Sequence, residues 1–295
     1  MRAAFIGLGA MGTGIASNIL KTGCTLSVWN KKDRCYPNLE ILRKMGAVPC
    51  EDIGGAVAGA EIIGMSLTND QAVAEVCRQL PPYISEGAVI CDFSTVSPRT
   101  SKEMNAFFSE IGVFYLDTPV SGGIQGANEG SLSVMVGGDY SGFQKAEPII
   151  RSVSSKYEYF GDSGSGAAAK LINQLLTAAN QAIVCETMLL AMKSGLDMQK
   201  LYDMLVVSWG NSKMLERSVK QYIIPGQYES SACIELMDKD LKLARRMADD
   251  FGLDMPISGI VRDLFQRAAE EGLGRQDHSA IIKIMNRAKE GDERL

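Results

Sequence analysis

Residues 2–12, Arg2-Ala3-Ala4-Phe5-Ile6-Gly7-Leu8-Gly9-Ala10-Met11-Gly12, decide the fold. A short apolar run leads straight into G-x-G-x-x-G, and the glycines lead into a helix-compatible segment from Thr13 to Lys21. In that order each glycine has a separate task. Gly7 permits the tight turn, Gly9 lets the backbone approach a pyrophosphate, and Gly12 allows close packing of helix on strand. The first amides of the helix then face the anion. The glycine pattern alone is weak and would also suit a structural turn. Its strand–turn–helix setting makes Gly7, Gly9, Ala10, Met11 and Gly12 a dinucleotide site.

Outward from this turn, apolar runs alternate with helix-like segments up to about residue 160. The runs are AAFIGL, TLSVW, EIIGMSL, GAVICDF, VFYLD, SLSVMV and YEYF. Such alternation is the sequence form of parallel βαβ units whose strands are buried on both faces, so an open, doubly wound α/β sheet of Rossmann type is expected. From Gly166 onward alanine, leucine, methionine and charged residues recur at helical spacing, and an all-helical second half follows. No proline or glycine interrupts the chain between Ala167 and Ser194, and Gly195 stands where a left-handed cap is expected. That helix is long enough to connect two domains and to contribute to subunit contacts. The Gly/Ser stretch 161–166 marks the boundary. The expected division is a dinucleotide-binding domain over 1–163 and an all-helical substrate and oligomerisation domain over 164–295.

A chain of 295 residues, 46% hydrophobic, can bury a sizeable core. Its net charge of −5, with 30 basic and 35 acidic residues interspersed, offers no basic stripe for nucleic acid. The seven cysteines form no C-x-x-C and several sit in apolar runs, as reduced structural thiols do. One histidine, His278, is too little for a His-based metal site or a Ser-His-Asp triad, and no metal is expected. Uncharged apolar runs fall short of the roughly 20 residues of a membrane span, and Arg2 reads directly into a strand rather than a signal peptide. A soluble, cytoplasmic protein with neither nucleic-acid nor membrane partner is expected.

The second strand-like run ends in Asn30-Lys31-Lys32-Asp33-Arg34, where an NAD-selective fold would place an acid against the adenosine ribose. An amide followed by cations suits a 2′-phosphate, so NADP is the expected cofactor and NAD the alternative. A solvated charged loop, with Asp33 turned to the ribose, is the competing reading. Leu67, Thr68 and Asn69 after EIIGMSL, and Ser94-Thr95 after GAVICDF, lie at C-terminal strand ends, where cofactors bind in such sheets.

Four segments carry a resemblance: GLGAMGTGIASNIL from Gly7, Asp117-Thr118-Pro119-Val120-Ser121-Gly122-Gly123, Gly166-Ala-Ala-Ala-Lys170-Leu171-Ile172-Asn173-Gln174, and Asp238-Lys239-Asp240-Leu-Lys-Leu-Ala. In order and spread they resemble the signature regions of the β-hydroxyacid dehydrogenases, over nearly the whole chain. The family includes 3-hydroxyisobutyrate dehydrogenase, tartronate semialdehyde reductase, threonate dehydrogenase and glyoxylate/succinic semialdehyde reductases. The resemblance therefore implies hydride transfer between a pyridine nucleotide and a small hydroxy acid or its semialdehyde.

It also implies residue roles, and the chemistry of each residue suits its role. Ser121, Gly122 and Gly123 would anchor a substrate carboxylate, because a hydroxyl and unobstructed amides form a fitting cradle. Lys170 would be the catalytic acid/base; among alanine, leucine and isoleucine near a helix start, a lysine is disfavoured as a cation and suited to proton transfer. The other reading is a surface lysine on an amphipathic helix. Asn173 and Gln174 fall on the same helical face as Lys170, within reach of the same ligand. Many members carry asparagine where Gln174 stands, and the glutamine resembles the tartronate semialdehyde reductase and threonate dehydrogenase branches. Lys239 would close over the cofactor; lying between two carboxylates, it otherwise reads as part of a solvated helix face. Trp209 suits either a pocket wall or core packing, and His278 reads as a helix-start or packing residue. A homodimer or homotetramer is expected. Two alternatives stay open: an NAD-dependent oxidant of 3-hydroxyisobutyrate or serine type, and a catalytically silent nucleotide-binding module.

Overall fold

A computed structural model describes residues 1–31, 37–230 and 232–287. The chain divides into two compact units, Met1–Lys170 and Leu171–Leu295.

In the first unit, nine strands form one sheet among the described residues: β1 (Arg2–Ile6), β2 (Thr25–Trp29), β3 (Val48–Pro49), β4 (Ile62–Met65), β5 (Val89–Asp92), β6 (Phe114–Asp117), β7 (Val120–Ser121), β8 (Leu132–Gly137) and β9 (Ser154–Gly161). Between them lie α1 (Ala10–Leu20), α2 (Pro37–Lys44), α3 (Ile53–Val57), α4 (Asp70–Cys77), α5 (Pro98–Ser109), α6 (Gly123–Glu129) and α7 (Tyr140–Val153). The strand order is β3-β2-β1-β4-β5-β6-β8-β7, with β9 also paired to β8. Neighbouring side chains on a strand go to different cores. Ala3, Phe5, Ile62, Cys91 and Leu116 belong to one buried cluster, and Ala4, Ile6, Ile63, Ile90 and Tyr115 to the other. Both faces of the sheet are thus covered, which is why its strands read as unbroken apolar runs rather than as alternation.

The strands from β1 to β6 pair in parallel, and the order reverses at β1 and β4, where a dinucleotide crevice opens in such sheets. The far side departs from the expected all-parallel pattern, since β8 runs antiparallel to both β6 and β7. The link from β7 to β8 is too short for a parallel crossover, which needs about a dozen residues or more. Helix α1 meets α6 closely: a Cβ on Gly14 would stand 2.7 Å from the carbonyl carbon of Ala127. Asn18 Nδ2 locks the pair by donating to Ala127 O at 2.7 Å.

Helix α8 (Ser165–Lys193) runs through the division between the units and ends where Gly195 takes φ +72°. The second unit continues with α9 (Met198–Leu205), α10 (Lys213–Ser218), α11 (Ile234–Asp250), α12 (Pro256–Ala268) and α13 (Ile282–Arg287), with π-helical turns at Val219–Ile223 and Ala269–Leu273. By length and composition α8 could cross a membrane. Its Ala178, Ala182, Val184, Cys185 and Met188 instead lie in the buried core of this unit, with Leu241, Phe265 and Ile281. Asp277, fully buried, takes the Arg217 guanidinium on both oxygens and accepts the Ser279 amide at 3.0 Å. His278 opens the short 3₁₀ turn that follows and meets Phe265 edge-on at 6.1 Å, as a helix-start and packing residue would. The six described cysteines are free thiols, and Cys35 lies outside the described residues.

Candidate active site

The glycine turn is built as tightly as its sequence implies. Gly7 takes φ +90°, and a Cβ there would fall 2.3 Å from Ser66 O; a Cβ on Gly12 would fall 1.9 Å from Gly7 O. At Gly9 the space is open, with no atom within 4 Å of an added Cβ. No side chain caps α1 and no acid stands in its first turn, so Ala10 and Met11 begin a helix with amides suited to an anion. The turn fits a pyrophosphate. Asn30, at the end of β2, supports it from the side: its Oδ1 accepts the Leu8 amide at 3.1 Å, and Asn38 Nδ2 donates to Leu8 O at 3.1 Å. Lys31 is exposed, while Lys32, Asp33 and Arg34 lie outside the described residues.

The loops after β4 and β5 are tied to one another. The Leu67 amide donates to Ser94 Oγ at 2.8 Å, and the Ser94 amide donates to Asp92 Oδ1 at 2.9 Å. Tyr115 Oη donates to the other Asp92 oxygen at 2.7 Å. Asp92 is fully buried, and burial pushes its carboxyl up to about 6. Thr68 and Asn69 are exposed and Thr95 half-buried at the same end of the sheet. Asn69 caps α4 through the Ala72 amide. Sequence reasoning missed Asp92 as the anchor of both loops. Its signal was a carboxylate closing an otherwise apolar strand.

One strand further, Asp117 closes β6 beside Asp92. Beyond it Ser121 is half-buried, and Gly122 and Gly123 are exposed with φ +134° and +63°, a reversal that side-chain-bearing residues rarely adopt. Helix α6 starts there with no side-chain cap. The turn therefore offers a hydroxyl and open backbone, as a carboxylate cradle requires. Asp117 itself reaches the start of α8, accepting the Gly164 amide on one oxygen and the Ala167 amide on the other, each at 2.8 Å. Lys170, one turn further along α8, is only 6% exposed, which removes the reading of a surface lysine.

Within the second unit, Asn173 and Gln174 are the next residues on the helical face that Lys170 begins. Asn173 Nδ2 donates to Gln174 Oε1 at 3.1 Å, and Gln174 Nε2 donates to Asp240 Oδ2 at 2.6 Å. Lys239 Nζ lies 3.0 Å from the other Asp240 oxygen. Asp238 and Asp240 are buried, so Asp238-Lys239-Asp240 is not the solvated face its composition suggested. The extra methylene of Gln174 thus reaches a carboxylate, a partner that the helical spacing gave no means of finding. Trp209 is fully exposed, which overturns the core-packing alternative for it.

Comparison with known proteins identifies the family. Residues 2–161 match the NAD binding domain of 6-phosphogluconate dehydrogenase, and residues 164–285 match the family described as NAD-binding of NADP-dependent 3-hydroxyisobutyrate dehydrogenase. The chain belongs to the β-hydroxyacid dehydrogenase family, oxidoreductases that use a pyridine nucleotide. It is 34% identical to 2-(hydroxymethyl)glutarate dehydrogenase of Eubacterium barkeri, over 95% of this chain and 93% of that one. It is 33% identical to 2-hydroxy-3-oxopropionate reductase of Escherichia coli, over 97% of each chain. Among solved structures, Mycobacterium tuberculosis 3-hydroxyisobutyrate dehydrogenase with L-serine superposes with a TM-score of 0.87 at 27% identity, covering 97% of this chain and 99% of that one.

Proposed function

We propose that this protein is an NADP-preferring dehydrogenase or reductase of a small hydroxy acid or its semialdehyde, with Lys170 as the general acid/base. The observation that carries the reading is Lys170 itself, an almost fully buried lysine early in α8. A lysine held out of water near a helix start is suited to moving a proton at a ligand rather than to solvating the surface.

When bound, the nicotinamide ring gives or takes the hydride. The chain does the rest. The amides at the start of α1 hold the pyrophosphate, and the Ser121-Gly122-Gly123 turn holds the substrate carboxylate through a hydroxyl and backbone amides. Lys170 Nζ donates a proton to the substrate oxygen as the carbonyl is reduced and takes it back in the oxidative direction. The family resemblance gives Asn173 a contact to the substrate and Lys239 a place over the cofactor, and within the helical unit Asp240 holds the Lys239 ammonium. The lack of any acid between Asn30 and Lys32 favours a 2′-phosphate, and reduction is then the working direction. The large apolar residues exposed in the second unit favour a homodimer or homotetramer, and no charge pattern favours nucleic acid or a membrane. The cytoplasm is the compartment that free thiols favour.

The test is a matrix of initial rates: NADPH and NADH against 2-hydroxy-3-oxopropionate, glyoxylate and succinic semialdehyde, and NADP+ and NAD+ against 3-hydroxyisobutyrate, 2-(hydroxymethyl)glutarate and L-serine. Fastest turnover with NADPH and a semialdehyde supports the proposal. The L-serine in the M. tuberculosis neighbour favours a second reading, oxidation of a 3-hydroxy acid, for which NAD is the alternative cofactor. Fastest turnover with NAD+ and L-serine or 3-hydroxyisobutyrate selects that one, and no turnover with any pair refutes both.

A further inference from the structure

Helix α8 begins in a stretch ill-suited to holding it still. Gly161 and Gly164 have φ +122° and +90°, Gly166 follows, and the intervening residues are Asp162, Ser163 and Ser165. Local side chains of the usual capping types are therefore at hand. The cap comes instead from Asp117, 47 and 50 residues earlier in the chain. Both carboxylate oxygens are used, on amides at the start of a helix that would otherwise lack partners.

The surroundings are shaped around that carboxylate. A Cβ on Gly137 would stand 2.6 Å from Asp117 Oδ2 and 2.6 Å from the Gly166 amide. A Cβ on Gly166 would stand 2.4 Å from Met135 O and 2.7 Å from Asp117 O. Two glycines thus let the helix start sit directly on the ends of β6 and β8. Asp117 is 1% exposed, and burial pushes its carboxyl up against the pull of the Gly164 and Ala167 amides. A local serine would have capped the helix as well. Only a residue of the sheet ties the helix to the strand from which the Thr118–Gly123 turn departs.

We propose that Asp117 is a positioning residue for the proton-transfer step: its two hydrogen bonds fix the height and rotation of the first turns of α8, and so place Lys170 relative to the strand that carries the substrate turn. The proposal rests on the reading of Lys170 as acid/base. Lys170 follows Ala167 by three residues on the same helical face, so a shift of the helix start is passed to it directly. Reacting groups tolerate little of this, since a displacement of about 1 Å costs roughly 100-fold in rate.

The experiment uses Asp117→Asn, which keeps the volume but loses the charge and one acceptor, and Ala167→Pro, which deletes one donor in the first turn of α8, where the amide serves Asp117 and no intrahelical carbonyl is lost. For each variant, NADPH stoichiometry is titrated by fluorescence, and kcat, KM and the isotope effect with C4-deuterated NADPH are measured on the substrate fastest in the rate matrix. Acetylation of Lys170 in the cofactor-free protein is followed by mass spectrometry, with exposed Lys213 as the internal standard. In at least one folded variant kcat should fall about 10–100-fold, with KM and NADPH stoichiometry within about 2-fold of the parent. Lys170 should be acetylated faster and Lys213 at its parental rate. Parental kcat and acetylation in every folded variant overturn the proposal. So does a loss of kcat matched by an equal loss of NADPH sites, which marks a folding defect only. Lys170→Ala runs alongside: parental turnover there strikes the acid/base reading, whereas an inactive Lys170→Ala beside a parental Asp117→Asn strikes the positioning role alone.

Discussion

Asn30 Oδ1 accepts the Leu8 amide at 3.1 Å, so the residue at the end of β2 helps to hold the glycine turn in shape. An aspartate in its place would keep an acceptor for that amide while adding a negative charge where a 2′-phosphate is expected. Asn30→Asp combined with Lys31→Ala should leave the turn intact and flatten or reverse a preference for NADPH. The dissociation constants of NADPH and NADH, measured by fluorescence on parent and variant, check this. Tighter NADH than NADPH binding in the parent would remove the basis of the NADP assignment.

Lys170→Ala should lower kcat by about 10²–10⁴-fold, the scale of a positioned acid or base, while NADPH binding stays close to parental. Lys170→Arg should not restore the rate, because a guanidinium does not release its proton near neutral pH. Turnover and NADPH titration on the same purified variant decide the matter. Joint loss of binding and turnover would mark Lys170 as structural.

Asp92 predicts a pH-dependent stability of definite sign. Its carboxyl is raised from 3.8 to about 6 in the folded chain, with burial the largest cause, so the folded state holds the proton more tightly than the unfolded state between those values. Its contribution is complete below about pH 4 and is lost as pH rises through about 6. Against an uncharged Asp92→Asn variant, the parent should therefore lose up to about 3 kcal/mol of relative stability between pH 4 and 7.5. Urea unfolding of both proteins across that range measures the difference. A gap between them that does not change with pH contradicts the shift.

The second unit exposes Leu190 on α8 and also Val207, Trp209, Ile257 and Ile260, with Trp209 fully exposed. Large apolar side chains gathered on one unit are costly to leave in water, and association with another copy would bury them. Sedimentation at micromolar concentration should give at least a dimer. Replacing Ile257 and Ile260 together with glutamate should shift the protein toward monomer if α12 belongs to the interface. A parent that sediments as a monomer refutes the assembly.

What the sequence by itself determined is whatever depends on neighbours along the chain. The glycine turn was legible because strand, turn and helix are contiguous, and each glycine has a local steric reason. The extent of α8 was legible to within a residue or two, since an uninterrupted helical run and a glycine stop are local signals. The central strands were legible because burial on both faces leaves unbroken apolar runs. The two-residue strands β3 and β7 were not, being too short to carry a period, and neither was the antiparallel turn of β8, which follows from a short return path. Only the tertiary structure decided the polar ties: Asp92 to the Ser94 amide and Tyr115, Asp117 to the amides of α8, and Asp240 to Gln174. A carboxylate at a strand end or on a helix has the same sequence signature whether it faces water or a buried donor. Which of the two it meets depends on elements tens of residues away, brought together by the burial of the two apolar cores of the sheet and of the helical unit's own core. Apolar periodicity states that these surfaces must be covered. It does not state which amide will lie opposite which carboxylate once they are.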